Sequence, residues 1–151
     1  MKPWLALLAV LITTPSLTLA ANDIAVHDAW VPAAPPGAMV FAAYLTIDNH
    51  TATAQTLTGA SSPQFDSVEM HRTEIKNGVA SMSAEPRIAI AAHGTLSFAP
   101  NGYHLMLIGP RKALHTGDHV ELRVWFAGQP AQVIRAPVRA DDDTMQHHHH
   151  D

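Results

Sequence analysis

Short segments in which apolar residues alternate with others recur along this sequence, and a period of two is the pattern of a half-buried β-strand. Turn-forming sequences such as PAAPPG, DNHT and HTGD separate the segments. The segments span residues 24–31, 38–47, 54–60, 65–71, 87–90, 95–99, 103–108, 119–126 and 131–138. No helical periodicity with capping residues competes with them. The pattern predicts an all-β, single-domain fold, either an antiparallel β-sandwich or a Greek-key barrel.

The N-terminal end has the form of a secretory signal. Lys2 precedes an apolar stretch that ends at Ile12, and small and polar residues follow as far as Ala20. A charged start, a short apolar region and a small-residue cleavage site are the three parts of such a signal, and this apolar stretch is short for a membrane span. We therefore predict a signal over residues 1–20, a folded domain over residues 21–140 and no stable membrane insertion.

Charge and cysteine content exclude two kinds of site. Removal of the signal takes away only Lys2, so the nine Lys and Arg residues become eight against thirteen Asp and Glu, a formal charge of −5 with neutral histidines. The basic residues are scattered and do not alternate with aromatic ones, which argues against a nucleic-acid partner. The chain has no cysteine, although an exported protein is free to form disulfides. Any metal site must therefore do without thiolate.

Two of the predicted strands carry histidine on one face and core residues on the other. In YHLMLI, alternation puts His104 and Met106 on one face and the two leucines on the opposite face. In SVEMHR, Glu69 and His71 share a face, whereas Met70 points to the opposite side. Methionine in a β-protein usually fills the core, so Met70 is predicted to be a core residue.

Histidine and methionine on one strand face form a ligand pair for a soft metal. Cu(I) accepts thioether sulfur and imidazole nitrogen, whereas Mg²⁺ and Ca²⁺ prefer oxygen, and zinc sites favour cysteine, histidine and carboxylate. Two further ligands of these types are His71 and Met82, with ten residues between them and twenty-one between Met82 and His104. Taken singly, each of the four residues would be interpreted as an ordinary core or surface residue. Together, at this spacing, they predict a soft-metal site.

The spacing H-x10-M-x21-H-x-M resembles the metal motif of the PCuAC-type periplasmic copper chaperones. DAWVPAAPPGAM, AAYLTIDN, VEMH, PNGYHLMLIG and LHTGDHVELRVWF resemble the family too, and the resemblance covers residues 24–138. It implies a cupredoxin-like Greek-key β-sandwich that binds Cu(I) through His71, Met82, His104 and Met106. It also implies copper delivery, in the bacterial periplasm, to the copper-bearing subunit of cytochrome c oxidase for assembly of its dinuclear copper site, and contacts with other periplasmic copper-transfer proteins.

The C-terminal end, residues 141–151, is acidic and polar and is predicted to be a flexible tail. Family members carry a His- and Met-containing extension, and the resemblance implies a second site here, for Cu(II), which prefers nitrogen ligands. Its ligands would be Met145, His147, His148, His149 and His150. The HHHH run also fits an expression tag, although the following Asp151 and the retained signal argue against that interpretation.

Three further interpretations concern single residues. Glu69 lies two residues from His71 on the same face, so its carboxylate either orients the imidazole, as metal-bound histidines commonly require, or is an ordinary solvated charge. Met82 lies in the less regular segment KNGVASMSAEP, which predicts an adjustable ligand. The other histidines before the tail have no methionine nearby and are interpreted as surface or hydrogen-bonded residues: His27, His50, His93, His115 and His119.

Other functions compete with that of a copper chaperone. An electron-transfer cupredoxin needs a cysteine thiolate beside two histidines, and the chain has none. An enzyme is not indicated, because no HExxH motif or nucleophile elbow appears and a four-ligand Cu(I) site leaves no open position for a substrate. A metal-free adhesion sandwich stays open, as does a copper storage or resistance protein without a dedicated acceptor.

Overall fold

The computed structural model describes residues 23–140, and every regular element in that range is a β-strand. The strands are β1 (Ile24–Pro32), β2 (Val40–Asn49), β3 (Gln55–Ser61), β4 (Phe65–Lys76), β5 (Val79–Ala84), β6 (Ile88–Ile90), β7 (Thr95–Phe98), β8 (Tyr103–Pro110), β9 (His119–Phe126) and β10 (Gln132–Arg139). All except β5 overlap a segment that alternation predicts. No helix in residues 23–140 is long and apolar enough to cross a membrane.

The strands hydrogen-bond in the order β5-β4-β8-β7-β2-β1-β10-β9-β3-β6, and β8 also pairs with β2. Most pairings are antiparallel. The parallel ones are short, two residue pairs between β1 and β10 and one between β7 and β8. The β1–β10 contact joins the sheet that holds β4, β5 and β8 to the sheet that holds β3, β6 and β9. The predicted fold class, a single-domain cupredoxin-like β-sandwich, is confirmed.

Alternation along the strands explains how the two sheets share one core. Leu105 and Leu107 of β8 are fully buried and pack in the same cluster as Leu57 of β3 and Leu122 of β9. Burying a leucine side chain contributes about 1.5–3 kcal/mol relative to leaving it exposed. Met70 of β4 is also in this cluster, as predicted. The residues between these core positions on β8 and β4 therefore lie on the outer face of the first sheet.

Strand β5 is the element that alternation missed, and the expectation that Met82 lies in an irregular segment is wrong. All six residues of β5 are exposed, so the strand has no buried face and no apolar alternation. It forms because Lys76 pairs with Val79 across the Asn77-Gly78 turn, whose φ angles are 52° and 76°. Two residues of positive φ are the requirement of the tight hairpin turn that Asn-Gly favours.

A histidine joins β1 to β2 on the sheet surface. His27 Nδ1 lies 2.8 Å from Asp28 Oδ2 and His27 Nε2 lies 2.8 Å from Asp48 Oδ2. The hydrogen bond with Asp48, followed by that with Asp28, raises the pKa of His27 above its usual value. The pKa of Asp48 is lowered, first by the hydrogen bond from the Thr95 hydroxyl and then by His27. His27 is thus a hydrogen-bonded residue, as predicted.

These two shifts predict a pH-dependent contribution to stability. Because the pKa of His27 is raised, the interactions of its charged ring contribute fully to the free energy of unfolding below the unfolded-state pKa. This contribution is lost as the pH rises through the folded-state pKa. Because the pKa of Asp48 is lowered, its carboxylate also contributes to the free energy of unfolding. This contribution is lost as the pH falls through the folded-state pKa of Asp48. We expect His27→Ala to lower the melting temperature slightly at pH 5.5 and less at pH 9. An equal decrease at both pH values, measured by thermal unfolding, would contradict this linkage.

Candidate metal site

The register between β4 and β8 places the two predicted histidine ligands directly opposite each other. His71 pairs with His104, and Glu69 pairs with Met106. Directly opposite residues of an antiparallel pair share a face and have Cβ atoms about 4.5–5.5 Å apart. His71, His104, Met106 and Glu69 therefore lie together on the outer face of the sheet.

Strand β5 brings Met82 to the same face from the other side of β4. Met82 pairs with Thr73, and Ala84 pairs with His71. Thr73 and His71 are two residues apart and so point to the same side, which puts Met82 diagonally next to His71. The register thus places all four predicted ligands on one face of three neighbouring strands, β5, β4 and β8.

The four side chains differ in how much solvent they meet. Met82 is 55% exposed on the edge strand, whereas His104 is only 7% exposed although it faces away from the core. His71 and Met106 are half-buried. Alternation put His104 on the face away from the core, and its burial there was not predicted. A metal ion held by these four side chains would contact a buried histidine, His104, and an exposed methionine, Met82.

Hydrogen bonds fix the orientation of both rings. Nε2 of His71 lies 2.7 Å from Oε2 of Glu69, so the carboxylate contacts the imidazole instead of being only a solvated charge. Nδ1 of His104 lies 3.2 Å from the carbonyl oxygen of Gly102. Nδ1 of His71 is buried and has no hydrogen-bond partner within residues 23–140. That nitrogen is the kind of unpaired polar atom that a metal ion can satisfy.

The distance between the two rings fits a shared metal ion. Their centroids lie 5.9 Å apart, with an angle of 45° between the ring planes. Metal–imidazole bonds are about 2.0–2.1 Å long, so one ion bound to a nitrogen of each ring allows a centroid separation of about 6 Å. In the described part of the chain, no three His, Cys, Asp or Glu side chains are grouped to hold a metal. A four-ligand site that uses His71 and His104 would therefore need ligands of another type, and the thioethers of Met82 and Met106 lie on the same face.

An aromatic pair that the sequence analysis did not single out continues the same face across β2 and β1. Ala42 pairs with Met106, and the alternation of β2 puts Tyr44 on the Ala42 side. Tyr44 pairs with Trp30, with ring centroids 5.2 Å apart. The guanidinium carbon of Arg139 lies 4.3 Å from the Trp30 ring centroid. The alternation in AMVFAAYLTI indicated that Tyr44 lies on the face away from the core. It did not reveal that β2 lies next to β1 and β8, which brings this ring beside Trp30 and on the same face as Met106.

The predicted second site, at Met145, His147, His148, His149 and His150, lies outside the described residues, as does the predicted signal over residues 1–20.

Comparisons with known proteins agree with this fold. Residues 24–138 match the LpqE-like family, described as "Putative lipoprotein LpqE-like". A protein of Leifsonia xyli subsp. xyli (strain CTCB07), "Putative lipoprotein Lxx21020", is 32% identical over 120 residues, which are 79% of this chain and 71% of that protein. Among solved structures, the copper-bound PCuAC domain from PmoF2 gives a TM-score of 0.67 at 24% identity, covering 81% of this chain and 97% of that domain.

A second structural relative is known with and without metal. Apo-DR1885 from Deinococcus radiodurans is 28% identical, with a TM-score of 0.63 over 93% of this chain and 95% of that protein. CuI-DR1885 is likewise 28% identical, with a TM-score of 0.62 over 83% of each chain. The β-sandwich described above is therefore the fold of a PCuAC domain. The chain belongs to the LpqE-like family.

Proposed function

We propose that this protein is an exported, non-enzymatic copper chaperone that binds Cu(I) through His71, Met82, His104 and Met106. The observation that carries the proposal is the direct pairing of His71 with His104 on a sheet face that also holds the two methionines. Two imidazoles and two thioethers form a soft, neutral ligand set suited to Cu(I). The Cu(I)-bound form of DR1885 and the copper-bound PmoF2 domain support the choice of metal.

The gradient of exposure across the site suits release of the ion to another protein. His104 is covered, whereas Met82 is more than half exposed on the edge strand β5. An incoming ligand of an acceptor meets Met82 first, so we propose that this thioether is the ligand displaced at the start of transfer. His71 and His104 then hold the ion until the acceptor supplies further ligands. The adjustable character assigned to Met82 thus derives from its exposure and edge position.

Met82→Leu tests this role, because leucine keeps the apolar volume and removes the sulfur. We expect Cu(I) affinity to fall about 10-fold or more, since one of four ligands is lost, with an unchanged melting temperature. The matched control is Met39→Leu, which changes another exposed methionine that lies in the segment before β2. Competition with a chromophoric Cu(I) chelator under anaerobic conditions measures both. Equal affinities in Met82→Leu and the parent would remove Met82 from the ligand set.

We propose the periplasm as the compartment and the copper-bearing subunit of cytochrome c oxidase as the acceptor, with other periplasmic copper-transfer proteins as further partners. Export is supported by the lipoprotein descriptions of the family and of the Leifsonia relative and by the N-terminal sequence. The signal over residues 1–20, the domain over residues 21–140 and Cu(II) capture by the tail over residues 141–151 are part of the same proposal.

The delivery step is tested by mixing the Cu(I)-loaded protein with the soluble copper-binding domain of that oxidase subunit. Copper is then measured in each protein after separation. Transfer to the oxidase domain, faster than release to buffer, is the expected result. Retention of copper by the loaded protein would favour the alternative, a periplasmic copper storage or resistance protein that binds the same ion without a dedicated acceptor.

A further inference from the structure

The two site histidines make different hydrogen bonds, and the difference determines which ring nitrogen of each is free to bind a metal. In His104, Nδ1 lies 3.2 Å from the Gly102 carbonyl oxygen. A carbonyl oxygen can only accept a hydrogen bond, so Nδ1 carries the proton and donates it. A neutral imidazole has one N–H, which leaves the lone pair of His104 on Nε2.

His71 has the opposite arrangement. Its Nε2 lies 2.7 Å from Oε2 of Glu69, and an ionised carboxylate can only accept, so Nε2 is the donor. The lone pair is then on Nδ1, which is buried and has no hydrogen-bond partner within the described residues. A buried polar atom without a partner is energetically unfavourable. The other tautomer would place an unsatisfied N–H at the same position and would also remove the donor from Glu69.

We propose that Glu69 and the Gly102 carbonyl hold His71 and His104 in opposite tautomers, so that Cu(I) is bound by Nδ1 of His71 and by Nε2 of His104. Glu69 is a positioning residue here, because it acts on the metal through the ring of His71. This inference rests on the proposed function and adds the identity of the ligand atoms. Nδ1 is the ring nitrogen nearer the main chain, so His71 binds the ion close to the sheet and turns its Nε2–H edge toward the half-exposed carboxylate.

The contact with Glu69 has two effects on the lone pair of His71. The hydrogen bond fixes the ring angle, and the negative charge makes the opposite nitrogen a better electron donor. Partners of this kind commonly contribute 10- to 100-fold to metal affinity. The Gly102 carbonyl fixes the ring of His104 but brings no formal charge. The two ligands therefore respond differently to substitution of nearby carboxylates.

The first test is made without metal, on the full chain labelled with ¹⁵N at histidine. At neutral pH, NMR spectra that correlate ring nitrogens with carbon-bound ring protons distinguish the two tautomers. We expect His71 to carry its proton on Nε2 and His104 to carry its proton on Nδ1. A His71 ring protonated on Nδ1, or rings that share one tautomer, would overturn the proposal. The apo spectra are informative even if the protein fails to bind Cu(I), so the tautomers and the proposed function are judged separately.

The second test compares two substitutions at Glu69 with a matched control on the same strand. Glu69→Ala should mix the tautomers of His71 and weaken Cu(I) binding about 10- to 100-fold. Glu69→Gln keeps an oxygen that accepts from Nε2–H but loses the charge, so it should preserve the tautomer and give an affinity between those of Glu69→Ala and the parent. Glu74→Ala removes the same charge from β4. The partners of Glu74 are Arg72 and Lys76 and not a site histidine, so we expect this variant to change affinity less than about 2-fold.

The pattern across the three variants decides the matter. Loss of the Nε2–H tautomer and of affinity in Glu69→Ala, with the tautomer retained in Glu69→Gln and both tautomer and affinity retained in Glu74→Ala, supports positioning by Glu69. An unchanged His71 spectrum and affinity in Glu69→Ala would overturn it. Equal weakening in Glu69→Ala and Glu74→Ala would also overturn it, because the effect would then come from overall charge.

Discussion

Replacing His104 by alanine is expected to lower the affinity for Cu(I) by about 100-fold or more. His104 is 7% exposed and its ring is held by the Gly102 carbonyl, so no other side chain can move into its place without rearranging the covered part of the site. Loss of a hydrogen-bond partner of a ligand already costs 10- to 100-fold, and loss of the ligand itself costs at least as much. Anaerobic competition with a Cu(I) chelator measures the change.

Two controls separate loss of a ligand from loss of structure. His115→Ala removes an exposed histidine on the loop before β9 and should leave Cu(I) affinity within about 2-fold of the parent. The melting temperature of His104→Ala shows whether the sandwich remains folded. Removing residues 141–151 from the parent and from every variant keeps the tail histidines from masking the loss. A folded His104→Ala protein that binds Cu(I) as tightly as the parent would contradict the assignment of this ligand.

Replacing Asn49 by alanine is expected to destabilise the fold by about 3 kcal/mol or more. The Asn49 side chain is 1% exposed at the end of β2. Its Nδ2 donates to the carbonyl oxygens of Thr53, Ile90 and Ala91, at 2.9, 3.3 and 2.9 Å, and its Oδ1 accepts from Thr51. Each such hydrogen bond contributes about 0.5–1.5 kcal/mol net. The alanine variant removes all of them at once, from a side chain that is almost fully buried.

Equilibrium denaturation in urea measures this difference. Asn49→Asp provides the sharper comparison, because it keeps the shape and turns the donor into an oxygen that faces carbonyl oxygens; it should be at least as destabilising as alanine. Ser81→Ala, at an exposed position on β5, should stay within about 0.5 kcal/mol. A change below about 1 kcal/mol for both Asn49 variants would show that water replaces these hydrogen bonds.

The strands were largely predictable because their residues alternate. Leu105 and Leu107 stand two apart in YHLMLI and are both fully buried, and the same rule put Met70 in the core. Strand β5 was missed because VASMSA has no apolar alternation and no buried residue. The Asn77-Gly78 pair was the signal that could have found it, since it forms the tight turn of the β4–β5 hairpin.

Which proposed ligands share a strand face was predictable from the sequence, but their arrangement in space was not. Alternation correctly put Glu69 with His71 and His104 with Met106. It could not show that β4 lies next to β8, with His71 opposite His104, because register depends on contacts between segments far apart in sequence. The burial of His104 and its hydrogen bond to a main-chain carbonyl leave no mark on the sequence either. Both follow from packing around a neighbouring strand.

The most direct test of the central claim is X-ray absorption at the copper edge of protein loaded with less than one equivalent of Cu(I). The parent is expected to show both imidazole nitrogen and thioether sulfur around the metal, with about two of each. A variant carrying both Met82→Leu and Met106→Leu should lose the sulfur contribution, while Met39→Leu should keep it. Copper surrounded only by nitrogen and oxygen in the parent, or sulfur that survives in the double variant, would contradict a Cu(I) site built from these histidines and methionines.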